Sequence, residues 1–151
     1  MEKYFAESEL IINNDGSIFH LHVTPEHLAD KVILVGDPGR VALVASHFDT
    51  KECDIESREF HTITGTYKEK RITVISTGIG CDNIDIVMNE IDAMANIDFK
   101  TRTLKPELRQ LDIVRLWRIA AVHTRRHIHL LRNIGWLRWS AQFLCRTQRR
   151  V

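Results

Sequence analysis

The sequence is poor in cysteine and has no long apolar run, and each shortage argues against a class of protein. Cys53, Cys81 and Cys145 form neither an even set nor a metal-ligand spacing, which argues against a disulfide scaffold and a zinc site. No run approaches the roughly 18 apolar residues of a transmembrane helix. The first residues also lack the apolar core of a signal peptide. We therefore expect a cytoplasmic protein with reduced thiols and no membrane partner.

The last part of the chain lacks acidic residues, lysine and proline altogether. Residues 116–151 hold eight arginines and all three tryptophans, whereas residues 1–115 hold 13 Lys+Arg and 20 Asp+Glu. The net charge of +1 therefore hides a charge of −7 in the first part and +8 in the second. Such an abrupt change marks a boundary. We divide the chain into a first part, 1–115, and a basic tail, 116–151.

The richest stretch for function is an apolar run that ends in a glycine-rich turn. Val32–Val35 is typical of a strand buried on both faces, as in a parallel sheet. Gly36–Gly39 breaks the strand, and Val41–Phe48 has the apolar spacing of a short helix. Backbone N–H groups at such a helix start, together with the Arg40 guanidinium, suit an anion. A tight turn with a surface arginine is the alternative that this stretch leaves open.

Other polar and glycine-containing segments also lie at the ends of predicted strands. Ser76–Gly80 joins a strand to the clearest helix of the sequence, for which we predict Asp82 as N-cap. Arg58 follows one strand and Arg115 ends another; taken alone, Arg58 is most simply a surface arginine paired with Glu59. The patterns predict strands at 51–55, 60–67, 71–76 and 111–115, and a half-buried strand or extended arm at 18–23.

In this order, four motifs resemble the nucleoside phosphorylase family, most closely its uridine phosphorylase branch. They are Gly-Asp-Pro-Gly-Arg at 36–40, Ser-Arg-Glu-Phe at 57–60, Ser-Thr-Gly-Ile-Gly at 76–80 and Ile-Val-Arg at 113–115. The match runs from about residue 19 to 115, and members of the family are much longer. The resemblance implies an α/β fold with a mixed central sheet and flanking helices, a Rossmann-like three-layer arrangement that is incomplete at this length.

The resemblance also implies the substrates and the site residues. The substrates would be a nucleoside and inorganic phosphate as co-substrate, with no metal and no organic cofactor. In the family, the residues matching His20 and Arg58 reach the neighbouring subunit's site, which implies an oligomer built from homodimers. The implied residues are Gly36, Arg40, Arg58 and Arg115 for phosphate, His20 for ribose, and Thr77, Gly78 and Gly80 for a loop near both.

After Arg115 the sequence departs from the family, which continues with a Gly-Thr loop. Read one base further on, the single tryptophan codon at Trp117 begins a glycine codon. We therefore expect residues from about 116 onward to be an out-of-frame translation. A nucleic-acid-binding arm of arginine and tryptophan, or a basic amphipathic helix on a membrane surface, are alternatives that we rank lower. We expect neither a nucleic acid nor a membrane as partner.

Three functions stay open on the sequence. The first is a nucleoside phosphorylase that acts on uridine, with purine nucleosides as the alternative substrate. The second is a hydrolytic nucleosidase of the same superfamily, against which Arg40, Arg58 and Arg115 argue because attack by water needs no phosphate grip. The third is a non-enzymatic binding fragment. Because the family's base-binding residues lie beyond the matched region, we expect this polypeptide to fold poorly and to have little or no phosphorylase activity alone.

Overall fold

The computed structural model describes residues 4–116, whose core is a five-stranded sheet covered on both faces. The predicted basic tail therefore lies outside the described residues, apart from Leu116. In chain order the elements are β1 (Lys31–Val35), α1 (Pro38–Ala45), β2 (Thr50–Ser57), β3 (Phe60–Tyr67), β4 (Lys70–Ser76), α2 (Cys81–Asn96), β5 (Ile97–Asp98), β6 (Thr103–Leu104) and β7 (Asp112–Leu116).

The apolar run that the sequence analysis placed in a parallel sheet lies near the middle of it. The strand order is β2-β3-β4-β1-β7, and β1 pairs in parallel with both β4 and β7. The β2-β3-β4 part is antiparallel, so the sheet is mixed. In this register Leu34 of β1 lies between Ile75 and Arg115. The predicted mixed α/β sheet is confirmed.

Each face of the sheet is buried by a different part of the chain. On one face, Val41 and Ala45 of α1 pack against Ile63 and Val74. On the other face, α2 packs with the segment that precedes β1. Since side chains alternate between the two faces of a strand, both faces of β1 are apolar and the three-layer prediction holds. The α2-side core includes Ile18, Leu21, Val32, Leu34, Phe60, Ile75, Val87, Ile91 and Met94.

The antiparallel strands are joined by two very short turns. Lys68 and Glu69, between β3 and β4, both have positive φ, 47° and 65°, which matches the right-handed twist of a hairpin. This turn joins two of the strands that the sequence predicted, at 60–67 and 71–76. The turn between β2 and β3 contains Arg58, whose φ is 56°. A non-glycine residue in this region of φ is uncommon and marks a tightly constrained turn.

Two local predictions are wrong. The N-cap of α2 is Gly80, with φ 114°, and Asp82 lies in the first turn, where a carboxylate still favours the positive helix end. The segment 18–23 is not a strand: only Ile18 forms an isolated bridge, with Ile12, and His22 has φ 54°. The alternation at 18–23 arises because Ile18, Leu21 and Val23 are buried in the core around a turn.

Asp92 on α2 allows a pH prediction. Burial raises the pKa of its carboxyl above 3.8, although a hydrogen bond from Asn96 opposes the shift. A raised folded-state pKa means that the folded protein binds more protons, so this group's contribution to stability falls as the pH rises above 3.8. We expect Asp92→Asn to remove that decline and to be at least as stable as the wild type at neutral pH. Urea unfolding of both proteins across acid and neutral pH measures this; a stability difference between the Asn variant and the wild type that does not shift in favour of the variant as the pH rises would contradict it.

Candidate functional site

The two glycine-containing loops that follow β1 and β4 lie side by side. Because β1 and β4 are parallel, their carboxyl ends meet at one edge of the sheet. The Thr77 backbone N–H donates to the Val35 carbonyl at 2.7 Å, and the Thr77 hydroxyl donates to the same oxygen at 3.3 Å. A methyl group placed on Gly36 would lie 3.8 Å from the Gly78 carbonyl oxygen. In open α/β sheets this edge is where ligands bind.

The start of α1 carries Arg40 to the same edge. Asp37 is the N-cap, and its carboxylate accepts a hydrogen bond from the Gly39 N–H at 2.7 Å. Pro38 occupies the first helical position, where its missing N–H costs nothing. Arg40 follows two residues later and is half-buried. The local sequence therefore fixes where the α1 N-terminus lies relative to β1.

The arginines differ in their hydrogen-bond and ion-pair partners. Some bind groups of the fold, and others are available to a ligand. Arg71 and Arg109 both donate to the Leu28 carbonyl, and each also pairs with a carboxylate. Arg102 donates to the Leu10 carbonyl at 2.7 Å. In contrast, the Arg40 side chain makes no hydrogen bond or ion pair within residues 4–116. Its positive charge is not neutralised by any described carboxylate, as a binding site for an anion requires.

Arg58 is exposed on the β2–β3 turn and interacts with an aromatic ring. Its guanidinium carbon lies 5.1 Å from the centroid of the Phe19 ring, a cation–π distance. No ion pair between Arg58 and Glu59 occurs in the described part of the chain, so the surface-pairing alternative is not what the structure has. The Ser76 hydroxyl donates to the Glu59 carbonyl at 3.2 Å, which ties the turn to the end of β4.

The Arg58–Glu59 turn also lies beside the loop after β4. The Ser76 hydroxyl oxygen accepts from the His61 N–H at 2.6 Å, so both sides of the turn are anchored at the last residue of β4. Gly78 has φ 63°, and a methyl group there would lie 3.4 Å from the Glu59 side chain and 2.8 Å from the Asn83 amide nitrogen. The positive φ favours glycine at this position, and a larger residue would also displace the Asn83 side chain.

His20 is held by a carboxylate from α2. Glu90 accepts hydrogen bonds from the His20 N–H at 2.9 Å, from the His20 ring Nδ1 at 2.7 Å and from the Leu21 N–H at 2.9 Å. The rings of Phe19 and His20 meet edge to face, 4.8 Å between centroids. His20 and Glu90 line a mostly apolar surface cleft of about 300 Å³ between the segment around Leu10 and α2.

The predicted site residues therefore fall into two groups. The first is at the carboxyl edge of the sheet, where Gly36 and Gly78 are neighbours and Thr77 is buried beneath them. The second is around the Phe19 ring, which contacts both His20 and Arg58. Arg115, in register with Leu34 on the α2 face, is half-buried. The ligand roles of all eight residues stay predictions.

Glu90 was missed by the sequence reasoning, although a signal was present. It comes three residues after Val87 and four before Met94, and both of those belong to the buried stripe of α2. Glu90 is 8 % exposed in the structure. Because buried carboxylates need hydrogen-bond donors, an acidic residue on the apolar stripe of α2 predicts that another segment donates hydrogen bonds to it.

The part of the chain that the structure describes has neither a metal-binding cluster nor a membrane-spanning helix. Among residues 4–116, no group of three or more His, Cys, Asp or Glu side chains could hold a metal ion. No helix in that range is both long enough and apolar enough to cross a membrane.

Comparisons with known proteins identify the family of this chain. The family model described as "Phosphorylase superfamily" matches residues 30–104. A DeoD-type purine nucleoside phosphorylase of Bacillus subtilis is 40% identical over 73 residues, 48% of this chain and 31% of that protein. A uridine phosphorylase of Thermococcus kodakarensis is 31% identical over 118 residues, 76% of this chain and 43% of that protein.

A solved structure has the same fold. The crystal structure of a Trypanosoma brucei nucleoside phosphorylase that shows uridine phosphorylase activity matches with a TM-score of 0.64 and 38% identity, covering 70% of this chain and 37% of that one. The chain thus spans well under half the length of these relatives. Sequence and fold agree, and residues 30–104 belong to the phosphorylase superfamily.

Proposed function

We propose that residues 19–115 supply the phosphate-binding and part of the ribose-binding portion of a nucleoside phosphorylase site. The observation that carries this proposal is the contrast among the arginines. Arg71, Arg102 and Arg109 are all bonded to the fold, whereas Arg40 and Arg58 meet no carboxylate within residues 4–116. An arginine that the fold does not use, at the ligand-binding edge of an α/β sheet, suits an oxyanion.

The proposed reaction is phosphorolysis of a nucleoside. A phosphate oxygen forms a bond to the anomeric carbon while the carbon–nitrogen bond to the base breaks. The bonding electrons leave with the base, which takes up a proton, and the sugar becomes ribose 1-phosphate. Arg40, Arg58 and Arg115 would hold the phosphate close to the anomeric carbon. The negative charge of the phosphate then stabilises the cationic sugar of the transition state.

The Gly36 and Gly78 loops would serve the same anion. Gly36 has no side chain between its backbone and the edge of the sheet, and the N-terminal end of α1 follows directly. Backbone N–H groups and a helix N-terminus add partial positive charge without the need for a metal ion. His20, which the resemblance assigns to ribose, and Arg58 share the Phe19 ring. In a homodimer-based oligomer this pair would serve the neighbouring subunit's site.

The identity of the base that is released is a separate proposal. The relatives include both a purine nucleoside phosphorylase and a uridine phosphorylase. We propose uridine, because the four motifs resemble the uridine branch and the Trypanosoma brucei structure with reported uridine phosphorylase activity matches 70% of the chain. A purine nucleoside is the competing substrate. We expect the 151-residue chain alone to show little turnover with either.

The experiment measures phosphate binding and the identity of the sugar product with the full 151-residue chain. Phosphate is titrated by calorimetry, and uridine or inosine is incubated with and without phosphate, followed by analysis for ribose 1-phosphate and free ribose. We expect phosphate to bind and any base release to require it, with ribose 1-phosphate as product. Free ribose formed in phosphate-free buffer would overturn the proposal in favour of a hydrolytic nucleosidase. Failure to bind phosphate by a chain that circular dichroism shows to be folded would overturn the assignment of the arginines.

A further inference from the structure

A buried carboxylate on α2 organises the turn that carries His20. Glu90 is 8 % exposed, and its two oxygens accept three hydrogen bonds. Two of the donors are backbone N–H groups, those of His20 and Leu21, and the third is the His20 ring. The partners are 69 and 70 residues apart in the chain. A buried charge with this many donors is well compensated.

The hydrogen bond to the ring determines which nitrogen of His20 carries the proton. An ionised carboxylate can only accept, so the Nδ1 atom at 2.7 Å from the Glu90 Oε1 must be the donor. In the neutral ring, Nε2 is then the acceptor. Within residues 4–116 no hydrogen bond engages Nε2, and the side chain is 30% exposed. The ring therefore offers a lone pair to a hydroxyl donor from outside.

The same carboxylate is connected to the rest of the candidate site. Phe19, adjacent to the anchored turn, meets the His20 ring edge to face and lies beneath the Arg58 guanidinium. Glu90 itself lies on the helix that begins directly after Gly80, roughly 13 Å along the axis from the helix start. Because a packed helix is rigid, the position of the His20 turn is fixed relative to the Gly78–Gly80 loop.

We propose that Glu90 is a positioning residue for the ligand site. It fixes His20 in the form protonated at Nδ1, so that Nε2 accepts a hydrogen bond from a sugar hydroxyl, and it holds Phe19 where Arg58 packs on it. The tautomer does not depend on the proposed function; only the identity of the partner as a sugar hydroxyl rests on it. Carboxylates that orient histidines through Nδ1 are common where the ring must present a defined nitrogen.

The test reads the ring nitrogens of His20 directly. The full chain is labelled with 15N-histidine, and proton-coupled nitrogen spectra are recorded at pH 8.5, where an imidazole is ordinarily neutral. The His20 signals are assigned by their loss in His20→Gln. We expect the wild type to show protonated Nδ1 and unprotonated Nε2, and Glu90→Ala to show the averaged signals of an unconstrained ring. Asp92→Ala, on the same helix but without contact to His20, is the matched control and should leave the wild-type pattern unchanged.

Three results would overturn the positioning role: Nε2–H in the wild type, averaged ring signals in the wild type, or an unchanged pattern in Glu90→Ala. If Glu90→Ala does not fold, the wild-type spectrum still shows which ring nitrogen of His20 is protonated. Glu90→Gln then serves as the second variant, because one of its two terminal atoms can no longer accept a hydrogen bond. Uridine and phosphate are then added to the wild type. A shift of the Nε2 signal supports the sugar contact; no shift overturns that contact while the Glu90–His20 result stands by itself.

Discussion

We expect Gly65→Ala to destabilise the fold by about 3 kcal/mol, because β2 and β3 leave no space for a side chain at this position. Gly65 lies in β3, paired with Lys51 on one side and Ile72 on the other. A methyl group there would lie 2.7 Å from a ring carbon of Phe48 and would overlap the Thr50 carbonyl group. The ring can rotate, but a backbone carbonyl in a paired strand moves only if β2 separates from β3.

The measurement is urea-induced unfolding followed by circular dichroism. Gly36→Ala is the matched control, since its added methyl group would lie at an ordinary contact distance, 3.8 Å, from the Gly78 carbonyl oxygen. We expect the control to change the free energy of unfolding by less than about 0.5 kcal/mol. Equal stability of Gly65→Ala and the control would show that β2 does not pair with β3 in this register in solution.

The elements that the sequence predicted best are those whose burial is visible as a local pattern. Val32–Val35 has four apolar residues in succession, and β1 is buried on both faces because α1 covers one face of the sheet and α2, with the segment before β1, covers the other. The stripe through Val87, Ile91 and Met94 likewise predicted α2. The start of α2 was predicted wrongly, because the helix is preceded by Gly80 with a positive φ and not by a side chain that caps it.

The elements that were predicted wrongly depend on residues far away in the chain. The alternation at 18–23 is the same pattern that a strand would have, yet this segment is a turn whose N–H groups are taken by Glu90. Sequence spacing carries no information about a partner 70 residues later. For the same reason, the pairing of Arg58 with Phe19 rather than with Glu59 was not predictable from adjacency.

The candidate site shows the same division. The glycine loops were predicted to flank one ligand, and the structure places Gly36 and Gly78 together because β1 and β4 are neighbours. The sequence singled out Arg40 by the glycine-rich turn before it, but it could not show which arginines the fold itself uses. Arg109 is one of these, because it pairs with Asp30 and donates to the Leu28 carbonyl. The hydrogen-bond and ion-pair partners in the structure thus distinguish a structural arginine from one that is available to a ligand.

That distinction gives the prediction for the ligand. We expect Arg40→Ala to weaken phosphate binding by about 10- to 100-fold, since a charge-assisted hydrogen bond contributes roughly 1.5–3 kcal/mol. The phosphate affinity of Arg40→Lys should lie between those of the wild type and Arg40→Ala, because an ammonium keeps the charge but loses the planar pair of donors. Stability should change little in either variant, since the Arg40 side chain makes no hydrogen bond within residues 4–116.

Calorimetric titration of phosphate at constant ionic strength measures the three affinities. Lys51→Ala is the control, because Lys51 is an exposed residue of β2 and its removal changes the net charge by the same amount. If the affinity depended only on net charge, Lys51→Ala and Arg40→Ala would weaken binding equally, and the proposed site would be contradicted. If Arg40 holds the phosphate directly, only the Arg40 variants lose affinity, and the loss persists at high salt, where the long-range attraction of surface charges is screened.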